Sequence, residues 1–277
     1  MPNPIGTRAL DDKSGTSAPV SVVIPCFRNA HTIGRAVASV KSQTWQPQEI
    51  VVVDDASNDA ATELALTRLT NISGLRIRVV HLDENSGPST ARNTGWDLAT
   101  QPYVAFLDAD DEWHPLKLEL QLPELLADPS LSMSAHIYGD FDPAATLPVR
   151  ESSYELGLRT MLLRNRISTP TVVVQRAISQ RFDVAVRFSE DYDLWLRIIS
   201  GGGRCLFVPA TLARGFKRPY GESGLSSNLR EMERGQIGVY RRLRASKVVS
   251  LPAYLLLRSW SLAKYWRRLV ISRLNAH

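Results

Sequence analysis

Tyr103-Val104-Ala105-Phe106-Leu107-Asp108-Ala109-Asp110-Asp111 decides the fold of this chain. A short apolar run leads straight into three carboxylates. Such a run reads as a fully buried strand whose carboxyl end opens on a polar rim. The same construction recurs toward the N-terminus. Val20-Ser21-Val22-Val23-Ile24 is a strand stopped by Pro25, and Glu49-Ile50-Val51-Val52-Val53 is a strand ending in Asp54-Asp55. Arg76 to His81 is a third β-rich run. Between them lie helical patterns. One is capped by Thr32 or Asn29 and runs through Ile33, Val37 and Val40. A second is opened by Asn58 or Asp59 and carries Leu64, Leu66 and Leu69. A third starts at Gly87-Pro88-Ser89 and passes Ala91 and Trp96 to Leu98.

Short apolar strands alternating with amphipathic helices predict an α/β fold, a mostly parallel sheet covered on both faces. In such sheets ligands bind outside the carboxyl ends of the strands. Asp54, Asp55, Asp108 and Asp110, distant in sequence, therefore converge on one rim. The later chain is less regular. Met133 to Asp140, Thr171 to Val174 and Leu206 to Val208 read as strands. Ser153 to Leu163 and Leu225 to Leu243 read as helices. Glu190-Asp191 opens a helix through Leu194, Leu196 and Ile198, ended by Gly201-Gly202-Gly203.

At 277 residues with 44% apolar and 22% charged side chains, the chain can build one α/β domain with a modest extension, which excludes global disorder. The two cysteines, Cys26 and Cys205, read as buried free thiols and are too few for a thiolate zinc site. Met1 to Pro19 is polar and reads as a flexible lead-in, without the apolar core of a secretory signal. No stretch has the length of apolar sequence that a membrane-spanning helix needs, so the expected location is the cytoplasm.

Each acidic cluster has two readings. Asp108-Ala109-Asp110 can turn two carboxylates toward one hard cation, Mg²⁺ or Mn²⁺, that keeps sites open for phosphates. Standing alone, such a pair is more often a set of solvated loop acids capping the helix that opens near Pro115. No glycine-rich phosphate loop of the Walker type is present, so phosphates would fall to a metal and to arginine. In Asp54-Asp55-Ala56-Ser57-Asn58-Asp59 the later residues suit helix capping. The first two stand too early for that and are candidates to accept a pyrimidine N–H. Glu190 and Asp191 at a helix start are stabilised by the helix dipole. Functionally, Asp191 is a candidate general base toward an acceptor hydroxyl.

Five motifs then agree in order and spacing: Ser21-Val22-Val23-Ile24-Pro25-Cys26-Phe27, Ser42-Gln43-Thr44, Val53-Asp54-Asp55-Ala56-Ser57, Ala91-Arg92-Asn93-Thr94-Gly95 and Phe106-Leu107-Asp108-Ala109-Asp110-Asp111. This pattern resembles glycosyltransferase family 2 across Val20 to Leu125. It continues more weakly to Glu190-Asp191-Tyr192-Asp193-Leu194-Trp195. The resemblance implies a GT-A fold, a Rossmann-like sheet flanked by helices, with a nucleotide-sugar donor, a divalent metal and inversion at the anomeric carbon. Carried over by position, main-chain groups at Ile24 and Pro25, with Phe27, Asp55 and Asp54, would hold the nucleoside. Arg92 would lie near the donor. Asp108 would face the ribose or sugar and share the metal with Asp110. Asp191 would be the base, with Glu190 beside it. Phe27 stands where many members have Tyr, and Ala56 where many have Gly. Some relatives add a histidine metal ligand in a later loop. None stands between Ala210 and Leu274, so the third protein ligand is unassigned. The expected organisation is a lead-in over residues 1–19, a catalytic domain over 20–209 (donor half 20–125, acceptor half 126–209) and a basic helical extension over 210–277.

The basic character is concentrated in that extension, which holds fourteen Lys and Arg against three Glu. Ser250-Leu251-Pro252 starts a helix to Leu274. Leu256, Trp260, Ala263, Val270 and Leu274 line one side; Arg258, Ser261, Lys264, Arg268 and Ser272 line another. The pattern suits a helix lying on an anionic membrane surface, and equally an amphipathic helix packed on the catalytic domain. Nucleic acid is not expected, because no recognition motif is present. The implied activity is transfer of a sugar, with UDP-sugar favoured by the resemblance, to a glycan or lipid-linked acceptor in cell-surface polysaccharide, exopolysaccharide or lipopolysaccharide synthesis. Two other classes fit an α/β rim of carboxylates: a sugar-phosphate nucleotidyltransferase, which normally has a glycine-rich signature absent near Pro25, and a non-catalytic nucleotide-binding relative, which need keep neither Asp110 nor Asp191.

Overall fold

The computed structural model of the protein describes residues 16–144, 152–216 and 228–274. The donor half follows the sequence pattern closely. In chain order it comprises β1 (Thr16–Cys26), α1 (Ile33–Lys41), β2 (Trp45–Asp54), α2 (Ala60–Thr70), β3 (Arg76–His81), α3 (Pro88–Leu98) and β4 (Tyr103–Phe106). A short β5 (Asp111–Trp113) and α4 (Lys117–Ala127) complete it. The remainder is β6 (Leu131–Tyr138), β7 (Tyr154–Glu155), α5 (Leu158–Leu163), a 3-10 turn (Thr169–Thr171), β8 (Val173–Gln175), α6 (Glu190–Ser200), β9 (Arg204–Gly215), α7 (Leu229–Ala245) and α8 (Leu251–Leu274).

The strands form one sheet in the order β3-β2-β1-β4-β8-β6-β9-β5, with β7 paired to β9. The first four are parallel, as the all-apolar runs require. β8 joins β4 and β6 antiparallel, while β6 and β9 are parallel. Strand alternation sends side chains to two cores. Val22, Ile24, Ala105 and Leu107 pack with α1, α2 and α4. Val23, Val104 and Phe106 pack with α3, α5, α6, α7 and α8.

Several boundaries differ from expectation. β1 starts at Thr16, so residues 16–19 are strand rather than lead-in: they pair with β2 from Trp45 on, and Ala18 is buried. Residues 1–15 lie outside the described residues. The helix expected from Ser153 is divided, because Tyr154 and Glu155 pair with β9 before α5 begins. Thr171 belongs to the 3-10 turn, not to the strand that follows it. The domain boundary expected after residue 209 falls inside β9, so residues 210–215 belong to the sheet. The expected start of α7, at Leu225, lies outside the described residues. Both cysteines are buried free thiols, as expected, and burial pushes Cys26 up to about 11 and Cys205 to about 12. Among the described residues no helix is long and apolar enough to cross a membrane.

α3 can lie close on the sheet because Gly95 has no side chain. A Cβ there would stand 2.4 Å from Cγ1 of the buried Val23. Gly34 of α1 faces open space. Gly95→Ala should therefore lower unfolding free energy by about 1–3 kcal/mol through overpacking, whereas Gly34→Ala should raise it by roughly 0.5–1 kcal/mol through helix propensity. Urea titration of both variants, read as midpoint shifts at constant slope, checks the pair.

Candidate active site

The expected rim forms, and its organising group is Arg92. This side chain projects from the second turn of α3 and is almost wholly buried. Its Nη2 donates to Asp108 Oδ1 at 2.8 Å, and its Nη1 donates to Glu190 Oε1 at 3.2 Å. The guanidinium lies over Phe182, 5.4 Å from the ring centroid. Burial opposes its charge, but Asp108 and Glu190 outweigh that and hold it protonated beyond its ordinary range. One cation thus joins the end of β4 to the start of α6, and Arg92, Asp108, Glu190 and Asp191 form one electrostatic cluster.

Asp191 is the perturbed member of that cluster. Burial first, and the charge of Glu190 second, push its carboxyl up to about 7. The Tyr192 N–H, donated at 2.7 Å, and the Arg92 charge act in the opposite direction. Part of the residue surface still reaches solvent. Ser189, just before α6, has φ of +62°, a left-handed conformation disfavoured for a residue with a side chain. α6 is held by Tyr192, whose hydroxyl donates to Met161 O at 2.7 Å. Asp193 pairs with Arg197 at 2.7 Å and with Arg242 of α7 at 2.8 Å.

The motifs read from sequence have structural explanations of their own. Asn93 clamps the main chain of Phe182, donating to its carbonyl at 2.8 Å and accepting its N–H at 3.0 Å. Gln43 is buried and accepts from Leu118 N while donating to His114 O at 2.8 Å. Thr44 N donates to Pro115 O. The Ser42-Gln43-Thr44 segment therefore fixes the chain that follows the acidic rim.

Asp54 and Asp55 diverge. Asp54 accepts from the Ser57 hydroxyl and main chain and lies 3.2 Å from His81 Nδ1. It lines a cavity of about 360 Å³ with Asn58, Asp59 and His81. Asp55 accepts from Ser86 N and Gly87 N, both at 2.8 Å, and so fixes the entry to α3. Both carboxylates hold loops, and a base N–H at Asp55 has to use a remaining lone pair. Asp59 caps α2 by accepting from Thr62 N, as expected of the later members of the cluster. Phe27 is exposed at the end of β1, with the Arg28 guanidinium 5.2 Å from its ring centroid. Pro25 pairs beside Val53.

Asp108 and Asp110 are both partly exposed at the end of β4. Hard carboxylate oxygens one residue apart suit Mg²⁺ or Mn²⁺. Among the described residues, no group of three or more His, Cys, Asp and Glu is arranged around a metal position. Sequence reasoning missed Arg35, whose Nη2 donates to Asp110 O at 3.1 Å and whose guanidinium stacks 3.6 Å from the Phe216 centroid. It missed Tyr138, which donates to Asp111 at 3.0 Å, and His81. No local signal marks these residues, because their partners lie 27 to 75 positions away.

Arg92→Met should leave Asp108 and Glu190 without their shared cation and cost about 3–5 kcal/mol of stability. Arg92→Lys should recover only part of that, because an ammonium cannot form the same fork. Chemical denaturation of the two variants tests the order.

Comparisons with known proteins bear on the family and the fold. The family model described as Glycosyl transferase family 2 matches residues 21–185. The amylovoran biosynthesis glycosyltransferase AmsB of Erwinia amylovora is 31% identical over 204 residues, spanning 70% of this chain and 68% of that protein. The UDP-Glc:alpha-D-GlcNAc-diphosphoundecaprenol beta-1,3-glucosyltransferase WfgD of Escherichia coli is 28% identical over 220 residues, spanning 78% and 83%. Among solved structures, Staphylococcus aureus TarS 1-349 in complex with UDP matches with a TM-score of 0.64 at 19% identity, covering 90% of this chain and 72% of that one. The mannosyltransferase PcManGT from Pyrobaculum calidifontis, in complex with GDP-Man and Mn²⁺, matches with a TM-score of 0.67 at 18% identity, covering 95% and 77%. These likenesses carry the GT-A fold, and they leave the nucleotidyltransferase and non-catalytic readings without support. From its sequence, its sheet and its acidic rim, the chain belongs to glycosyl transferase family 2.

Proposed function

We propose that this glycosyltransferase moves a sugar from a nucleoside diphosphate donor, UDP-sugar first among them, to a hydroxyl of a lipid-linked glycan, with inversion at the anomeric carbon. The observation that carries the reading is Asp191, a carboxylate with a raised pKa beside the Arg92–Asp108–Glu190 cluster. A base near neutrality suits removal of a proton from an alcohol as it attacks. The acceptor oxygen bonds to the anomeric carbon, its proton passes to Asp191, and the bond from that carbon to the diphosphate oxygen breaks. No covalent sugar intermediate is required.

Asp108 and Asp110 are the residues to hold Mg²⁺ or Mn²⁺. The cation supplies Lewis-acid stabilisation of the charge that builds on the departing diphosphate. Arg92 holds Asp108 in place and pairs with Glu190 beside the base. Pro25, Phe27 and Asp55 supply the nucleoside side of the site, with Asp54 behind them. The printed names of the relatives support a role in surface polysaccharide assembly, and that of WfgD a lipid diphosphate acceptor and a UDP donor. The place of action is then the inner face of the cytoplasmic membrane.

A panel of UDP-, GDP- and dTDP-sugars, with Mn²⁺ and then with EDTA, reads nucleotide diphosphate release. The expected result is metal-dependent release from one donor. Release with EDTA at the Mn²⁺ rate removes the metal, and release or binding of no donor removes the reading.

Asp191→Asn should lose about 10²–10⁴-fold in transfer while donor affinity holds. Because only ionised Asp191 accepts a proton, kcat/KM should rise with pH through an acid limb near 7. Glu190→Gln removes the second-largest of the causes that raise this group, so the limb should move to lower pH. An unchanged pH profile in Glu190→Gln counts against Asp191 as base.

A further inference from the structure

α8 packs against the domain in the reverse of the way its sequence suggests. A helix serving only to cover the core buries its apolar stripe. Here Leu257 and Ser261 are buried, and Tyr254, Lys264, Tyr265 and Arg268 are half-buried. The stripe of Leu256, Trp260 and Ala263 faces outward, with Leu251, Leu255 and Trp266 also exposed. Leu256 is 73% exposed and Trp266 64%. The side chains of Val270, Ser272 and Leu274 lie outside the described residues.

Polar bonds fix this orientation. Trp260 Nε1 and Lys264 Nζ both donate to Leu163 O, at 3.1 and 3.0 Å. Arg268 pairs with Glu233 of α7 at 3.6 Å. The helix therefore turns Leu257, Ser261, Lys264 and Arg268 toward the domain and leaves Leu251, Leu255, Leu256 and Trp266 outside.

The outward face does not end with α8. Leu163, the last residue of α5, is 54% exposed, and Arg159, Arg164 and Arg166 around it are exposed. The charge of Arg164 is felt at Lys264, so the two elements form one surface. Arg258 and Arg267 flank the apolar stripe on α8. No Asp or Glu occurs from Leu156 to Phe182, and none in α8.

We propose that the outer face of α8 and the tip of α5 form one docking surface for an anionic lipid bilayer. Exposed tryptophan and leucine on a helix too polar to span, flanked by arginines that pair with no acid among the described residues, suit the headgroup boundary: apolar groups enter and guanidinium groups pair with phosphates. Two exposed acid-free stretches, distant in sequence and brought side by side, give charge complementarity to that surface. The proposal rests on the lipid-linked acceptor reading and gives it a geometry. α5 is bonded to α6 through the Tyr192 hydroxyl, and Tyr192 follows Asp191, so packed helices join the docking surface to the proposed base.

The test is flotation of the full chain with phosphatidylcholine vesicles and with vesicles containing phosphatidylglycerol, together with tryptophan emission. Binding to the anionic vesicles alone, with a blue shift, is expected. Leu256→Glu/Trp266→Glu should abolish flotation. Arg164→Gln/Arg166→Gln should weaken it about 25-fold, on about five-fold per charge. Both double variants should hydrolyse donor in solution at the wild-type rate and melt at the wild-type temperature. No flotation of the wild type, or flotation of Leu256→Glu/Trp266→Glu at wild-type strength, overturns the proposal. So does a wild-type dimer that this variant converts to monomer without lipid binding, which would make the face an interface between copies. If lipid binding behaves as expected but no donor is turned over, the docking surface stands and the catalytic reading falls.

Discussion

A buried guanidinium holds the active rim together. Arg92 lies where its charge would be unfavourable alone, and it is stable there because Asp108 and Glu190 meet it from two sides. These three residues come from α3, the end of β4 and the start of α6, and Glu190 lies 98 positions from Arg92 in sequence. Removing the cation would leave two part-buried carboxylates, Asp108 and Glu190, without their partner. Their cost would then be far larger than the modest net gain of the intact cluster. The same arrangement sets the character of Asp191. It stands beside Glu190 in a setting that disfavours charge, and that raises it into the range where a base works near neutral pH.

Around this cluster the family motifs act as clamps. Gln43 and Thr44 hold the segment after the acids, and Asn93 holds Phe182 by both polar atoms of its amide. Gly95 lets α3 approach Val23. Asp55 fixes the loop that leads into α3. Position and chemistry are thus divided among neighbours: one residue of a motif meets the rim while the next sets where it stands. An aromatic group beneath the rim, Phe106, Phe182 and Trp195, fills the space under Arg92 with edge contacts.

The C-terminal segment is part of this construction rather than an appendage. β9 carries the sheet past residue 209, and α7 reaches back to α6 through Arg242 and Asp193. Tyr240 donates to the same α5 carbonyl region that Tyr192 does. Only then does α8 follow, oriented by Leu163 and Glu233, with its leucine and tryptophan side chains left outside.

By itself, the sequence determined the layered α/β architecture, the strands of the donor half and the place of the acids at their carboxyl ends. These follow from local rules: apolar runs of strand length, caps and breakers, and acids placed directly after a strand. It was less informative past Leu131, where β7 and β8 are only two and three residues long and take their places from pairing with β9, β4 and β6. Tertiary structure alone decided that Arg92 joins Asp108 to Glu190, that Arg35, Tyr138 and His81 support the rim, and that Asp54 and Asp55 turn to different partners. It also decided which face of α8 is inward. The periodicity of a helix shows that two faces exist. Which face is buried depends on the hydrogen bonds and ion pairs that neighbours distant in sequence offer, and here a carbonyl of α5 and a carboxylate of α7 hold the polar side.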